Sequence, residues 1–193
     1  MKTYLIIIHI CIIVLSNILV AIPLEFNGFK ITWAAFSFPL VIVTTDLTTR
    51  LIGKSLAQNI IGYSFPFAIL SSITLLYLNE NTISVSIRIG IASGIAYAIG
   101  VLIDINAFQF IREKYSNWWI APALSTIISN IIDSYIFFFS AFYSSEDLYM
   151  AKNWLEICGT QTLIKILIGF IFFLPVYGVL LNLFLKKINL KKN

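Results

Sequence analysis

Asp133 stands 14 residues after Trp119 and 10 before Tyr143, in a run of 25 residues that is otherwise nearly free of charge. A helix rising about 1.5 Å per residue makes that run roughly 37 Å long, against about 30 Å for the hydrocarbon core of a bilayer. The acid therefore falls at mid-depth, where its short stem cannot reach water and its insertion costs roughly 2.5 to 3.5 kcal/mol. A carboxylate kept at that depth accepts charge-assisted hydrogen bonds, pairs with a cation or carries a proton. Thr126, Ser129, Asn130, Asp133, Phe137 and Ser140 recur at three- and four-residue spacing. The helix thus has one polar face, which predicts an internal polar site.

Other polar groups lie inside apolar runs. Asp46 and Arg50 are four apart in Thr44-Thr45-Asp46-Leu47-Thr48-Thr49-Arg50, either as a local ion pair or as a gate or floor to a cavity. Arg88 and Lys165 sit near the ends of their runs, and their long stems can snorkel or turn inward to balance Asp133. The alternative to a binding role for Asp133 is a structural ion pair with one of them. His9 is the lone histidine and is expected to be packed or interfacial. Asn17 and Asn130 each offer an amide that donates and accepts, suited to a planar heterocycle. Trp33, Phe36, Phe38 and Phe137 can supply stacking faces, although at 15% aromatic content most rings serve packing or face lipid.

These groups are carried by a chain that is 59% hydrophobic and 11% charged over 193 residues, with mean hydropathy +0.92. Such a composition excludes an ordinary soluble domain and a disordered chain alike, and indicates an integral membrane protein. Apolar runs place six transmembrane helices at residues 4–22, 31–52, 57–78, 83–103, 119–143 and 163–185. The longest stretches outside them, 104–117 and 144–160, leave no room for a sizeable soluble domain, so residues 1–193 are expected to form a single six-helix transmembrane domain. Nine basic residues (Lys2, Arg50, Lys54, Arg112, Lys114, Lys186, Lys187, Lys191 and Lys192) fall on one side, and three (Lys30, Arg88 and Lys152) on the other. Lys165 lies within the last run. The bias predicts a multi-pass protein with both termini cytoplasmic.

Leu19-Val20-Ala21 lacks the small-residue pattern of a cleavage site, so the first run is expected to be a span and not a removed signal. Cys11 and Cys158 fall in distant parts of the chain and imply no disulfide or metal framework. The charge of +4 comes from the lysine tail and is read as a topology signal, with no nucleic acid implied. Gly90, Gly94, Ala96 and Gly100 are spaced for close helix packing, and Pro39, Pro66 and Pro175 interrupt three runs. A single histidine rules out paired-histidine metal sites, and neither a phosphate loop nor a nucleophile with an evident base is present. An enzyme and a bound cofactor are not expected.

The succession Trp33-Ala34-Ala35-Phe36-Ser37-Phe38-Pro39, Thr45-Asp46-Leu47-Thr48, Ala92-Ser93-Gly94-Ile95-Ala96-Tyr97-Ala98 and Trp118-Trp119-Ile120-Ala121-Pro122 is distinctive. So are Ser129-Asn130-Ile131-Ile132-Asp133 and Phe173-Leu174-Pro175-Val176-Tyr177-Gly178-Val179-Leu180-Leu181-Asn182. Together they resemble the bacterial queuosine precursor transporters, within the wider vitamin uptake transporters, over nearly the whole chain. The resemblance implies six membrane helices in the bacterial inner membrane and uptake of 7-cyano-7-deazaguanine (preQ0) or its aminomethyl relative for tRNA modification. It also implies that Asp133 accepts from two adjacent N–H groups on the deazaguanine edge. Asn130, Lys165, Arg88, Asn17, Trp33 and Phe36 would complete the substrate site, with Asp46 and Arg50 as gate or coupling residues. Asp133, Asp46 and His9 are the candidates for a coupled proton.

An autonomous carrier with no protein partner is expected. The alternative is a substrate-binding membrane subunit of an energy-coupling factor transporter, a six-helix class of similar fold that needs an ATP-driven partner. Those subunits often dock through small residues four apart in the first span, whereas 4–22 is dominated by isoleucine, leucine and valine.

Overall fold

The computed structural model describes residues 2–20, 23–26, 29–32, 34–79 and 81–190, and the side chains of 3–12, 14, 15, 18, 19, 40–79 and 81–186. Among the described residues the chain forms α1 (Lys2–Val20), β1 (Pro23–Phe26), β2 (Phe29–Thr32), α2 (Ala34–Leu51), α3 (Lys54–Leu78), α4 (Ile83–Lys114), α5 (Ile120–Phe142) and α6 (Leu148–Ile168). A π-helical turn, Gly169–Phe173, then joins α6 to α7 (Leu174–Leu190). Among the described residues, four stretches are long and apolar enough to cross a membrane: Lys54–Leu78, Ile83–Lys114, Ile120–Phe142 and Leu148–Lys186.

Three expectations need correction. The chain is not purely helical, because β1 and β2 pair antiparallel with Pro23 opposite Thr32 and Phe26 opposite Phe29. Residues 31 and 32 thus belong to a strand, and the second helix begins at Ala34. The sequence signal for this was Asn27-Gly28 between β-prone residues, the strongest short-range mark of a hairpin. The helices also extend well past the apolar runs. The fourth continues to Lys114, because Val101, Ile105, Phe108 and Ile111 keep a buried stripe at helical spacing. The last begins at Leu148, where the Asp147 side chain caps it by accepting from the Met150 backbone N–H at 3.0 Å.

The π turn has a local cause. Pro175 lacks an N–H, and its ring crowds the carbonyl four residues back, that of Ile171, which lies within Gly169–Phe173. One wide turn there lets a single long helix continue through the proline. Pro66 lies inside α3, removing the bond that would reach the Gly62 carbonyl.

α4 is the hub and packs most extensively on α5 and α3. Against α3 the approach is close: a Cβ on Gly90 would meet the Ile73 side chain and come within 3.0 Å of its backbone nitrogen. The core lies in two buried clusters. One joins Val41, Ala57, Ile61, Tyr97, Val101 and Ile105. The other joins Val43, Leu47, Phe108, Ala121, Tyr177 and Leu181. On α5, Leu124, Ile128, Ile131, Tyr135 and Phe139 face outward while Ser125, Ser129, Asn130, Asp133 and Ser134 are buried. The polar stripe of this helix therefore points into the protein, as a bilayer requires of polar side chains.

Candidate functional site

The buried stripe of α5 meets α4 at Gly100. A Cβ there would lie 2.9 Å from Asp133 Cβ and 3.5 Å from Asp133 Oδ1, so only the missing side chain lets the acid approach this wall. Asp133 is 6% exposed. Its Oδ2 is 3.0 Å from Lys165 Nζ, which comes across from α6 and also donates to Ser134 Oγ at 3.2 Å. The two cations open to Asp133 in the sequence are thereby distinguished: Lys165 is the partner. It reaches inward because α6 places it one turn before the π turn, beside the middle of α5.

A small pocket opens beside this pair, lined by Ile42, Gly100, Val101, Ser129, Asn130 and Asp133. Its polar side belongs to α5, and its apolar side to α2 and α4. With Oδ2 held by Lys165, Oδ1 and the Asn130 amide are the groups available to a ligand there.

Arg88 goes elsewhere. Its guanidinium donates to the carbonyls of Ser140 (3.2 Å), Tyr143 and Ser144. It thus holds the C-terminal end of α5, where the last carbonyls lack helical partners and the dipole favours a cation. Phe137 packs edge-on against Phe138 and Phe142 and does not line the cavity. The side chains of Asn17 and Phe36, and the whole of Trp33, lie outside the described residues.

Asp46 and Arg50 also part company, and no ion pair joins them among the described residues. Arg50 Nη1 donates to the Trp118 carbonyl and the Tyr177 hydroxyl, each at 3.3 Å, and Trp118 stacks on Tyr177 at 6.4 Å between ring centres. A Cβ on Gly178 would sit 2.7 Å from the Trp118 ring. This cluster ties α2 to α7 and to the loop before α5. The threonines around Asp46 are internally satisfied: the hydroxyls of Thr44, Thr45, Thr48 and Thr49 each donate to the carbonyl four residues earlier at 2.7 to 2.9 Å. His9 is packed, with Nδ1 donating to the Leu5 carbonyl at 2.8 Å and Nε2 lying 3.2 Å from the Thr45 hydroxyl.

A second, narrow cleft runs between α2, α5 and the π turn and is lined by Asp46, Thr126, Gly169, Phe170, Phe173 and Tyr177 among others. The residue that sequence reasoning missed lies behind it. Asp104 on α4 is wholly buried and accepts a hydrogen bond from Ser129 Oγ at 3.2 Å. It stood just beyond the fourth apolar run and passed for a loop residue. The signal that finds it is the apolar spacing 101, 105, 108 and 111, which carries the helix straight through position 104.

Comparison with known proteins agrees with this architecture. Residues 32–180 match the family described as "putative vitamin uptake transporter". The chain is 40% identical to the queuosine precursor transporter of Escherichia coli (strain K12), over 93% of this chain and 86% of that one. It is 35% identical to a protein named "Probable queuosine precursor transporter" in Haemophilus influenzae, over 94% of this chain and 87% of that one. No solved structure matches it. With most of its length matched and its buried polar helix face enclosed by apolar spans, the chain belongs to the vitamin uptake transporter family.

Proposed function

We propose that this chain takes up queuosine precursors, 7-cyano-7-deazaguanine or its aminomethyl relative, across the bacterial inner membrane for tRNA modification. Identity over nearly the full chain with a queuosine precursor transporter carries the substrate class, and the cavity beside Asp133 supplies the chemistry. The deazaguanine edge presents a ring N–H and an exocyclic amine, two donors that one carboxylate accepts together at charge-assisted strength. Lys165 holds that carboxylate in place from α6, and the Asn130 amide serves the ring's remaining polar atoms. In this reading Arg88 is a positioning residue that fixes the end of α5. Asn17, Trp33 and Phe36 remain proposed contributors from the first and second spans.

The transporter is a single domain of six spans, with α1 and α2 crossing alongside the four longer stretches and both termini in the cytoplasm. It works as an autonomous carrier that exposes one central site to each side in turn. The purified protein in liposomes should accumulate labelled 7-cyano-7-deazaguanine with no partner present, and binding without uptake would instead indicate a substrate-capturing subunit. Asp133→Asn should weaken precursor binding roughly 10- to 100-fold, the equivalent of about 1.5 to 3 kcal/mol for a hydrogen bond to a charged group. A folded variant that binds normally overturns the role given to Asp133.

A further inference from the structure

Asp46 on α2 and Asp104 on α4 are 1% and 0% exposed. They stand on helices that pack against each other, and each acid is a close charged neighbour of the other. Asp46 Oδ1 and Asp104 Oδ2 nevertheless have no hydrogen-bond partner among the described residues. Two ionised carboxylates this close and this deeply buried repel strongly, since the interaction is several-fold larger there than in water. Among the described residues, the cations on neighbouring turns and helices are engaged with other groups. Arg50, one turn along α2, donates to the Trp118 carbonyl and to Tyr177. Lys165 is engaged with Asp133, and Arg112 lies two turns further along α4.

The remaining titratable groups near the pair are equally unable to neutralise it. α7 brings the Tyr177 hydroxyl, which accepts from Arg50. α1 brings His9, hydrogen-bonded to Thr45 beside Asp46. α4 itself carries Tyr97 two turns earlier, its hydroxyl buried with no partner among the described residues. α5 offers the uncharged Ser125 and Ser129. On α3, Lys54 is the first residue and Tyr63 and Tyr77 are exposed. A proton shared between the two carboxyls removes the repulsion and lets one act as donor to the other. Two carboxyls and one serine hydroxyl are too few ligands for a hard cation that takes six or more oxygens.

The pair also stands at a junction. Asp46 lines the narrow cleft by the π turn on one side, and Asp104 is bonded to Ser129, which lines the pocket of Asp133 on the other. We propose that the Asp46–Asp104 pair is the binding site of a co-transported proton, and that Ser129 links its occupancy to the substrate cavity. With the proton bound the pair carries a single negative charge and holds α2 against α4. When the proton leaves toward the cytoplasm, the second charge drives the carboxyls apart, shifting α2 and, through Ser129, the polar face of α5.

The proposal rests on the uptake reading above, so the test keeps the two apart. In liposomes with the membrane potential clamped, an inward gradient of one pH unit should raise accumulation of labelled 7-cyano-7-deazaguanine by up to about tenfold for one proton per substrate, and a sodium gradient should not. Asp104→Asn should lose the gradient-driven accumulation while labelled-for-unlabelled precursor exchange persists. Accumulation indifferent to the pH gradient, or driven by sodium, overturns the proposal, as does an Asp104→Asn variant that still responds to pH. Independently of any substrate, infrared spectra of the wild-type protein near neutral pH should show a protonated-carboxyl band that Asp104→Asn or Asp46→Asn removes. A wild-type protein without that band refutes the proton site, whereas absent exchange in the wild type refutes the substrate reading and leaves the band to decide.

Discussion

At the scale of single residues, the site depends on one missing methyl group and one ion pair. Gly100 is where α4 makes room for Asp133, and a Cβ at 2.9 Å from the Asp133 side chain must push α4 and α5 apart or turn the carboxylate. Gly100→Ala should cost about 1 to 3 kcal/mol of stability from overpacking and weaken precursor binding at least tenfold, measured by thermal melting in detergent and by binding to the same sample. The ion pair predicts a different pattern. Lys165→Met strands a buried carboxylate and should destabilise by about 1 to 3 kcal/mol. Asp133→Asn with Lys165→Met should cost less than the two single changes added, because each single variant leaves an unpaired group. Additive effects in that cycle would mean that the two side chains do not interact. That Asp133 needs a polar partner was legible from its place in an apolar run. Its choice of Lys165 over Arg88 was not, since both cations lie near span ends and only the path of α6 brings one of them to mid-helix.

At the scale of elements, small residues decide where helices meet. Gly90 and Gly94 on α4 face Ile73 and Ile69 on α3 so closely that a Cβ at either would collide, whereas Gly62 on α3 has nothing within 4 Å of a built Cβ. Gly90→Ala should therefore lower the melting temperature, with a cost of about 1 to 3 kcal/mol. Gly62→Ala should leave it unchanged or raise it by the equivalent of about 0.5 to 1 kcal/mol. Equal effects would refute this account of the α3–α4 contact. The same scale explains why the lengths of the helices were misread. An apolar run ends where polar residues begin, but a helix ends where its hydrogen bonds and its buried stripe end. Leu148–Ile168 mixes charged and apolar positions. It is held to α5 by Trp154, which meets Tyr135, Phe139 and Tyr143 edge-on at 5.6 to 6.3 Å. Such an aromatic cluster suits the interface between lipid and water.

At the scale of the whole molecule, the basic residues predict the orientation and the packing brings the polar groups together. With nine basic residues on the side of Lys2 and the lysine tail, fluorescent-protein fusions at either terminus should be bright in cells and alkaline phosphatase fusions inactive, as cytoplasmic ends require. An active phosphatase at one end would remove a span from the proposed six. The sequence by itself determined that this is a membrane protein, that its fifth helix carries a polar face and that Asp133 lies at mid-depth. Composition, helical period and the cost of an isolated charge in hydrocarbon are local or additive properties. Only the tertiary structure decided that Lys165 is the partner of Asp133, that Arg88 holds a helix end and that Arg50 reaches Trp118 and Tyr177. Those outcomes depend on which helices become neighbours, and neighbours are chosen by the fit of surfaces far apart in the chain, such as Gly90 against Ile73, which no single segment records.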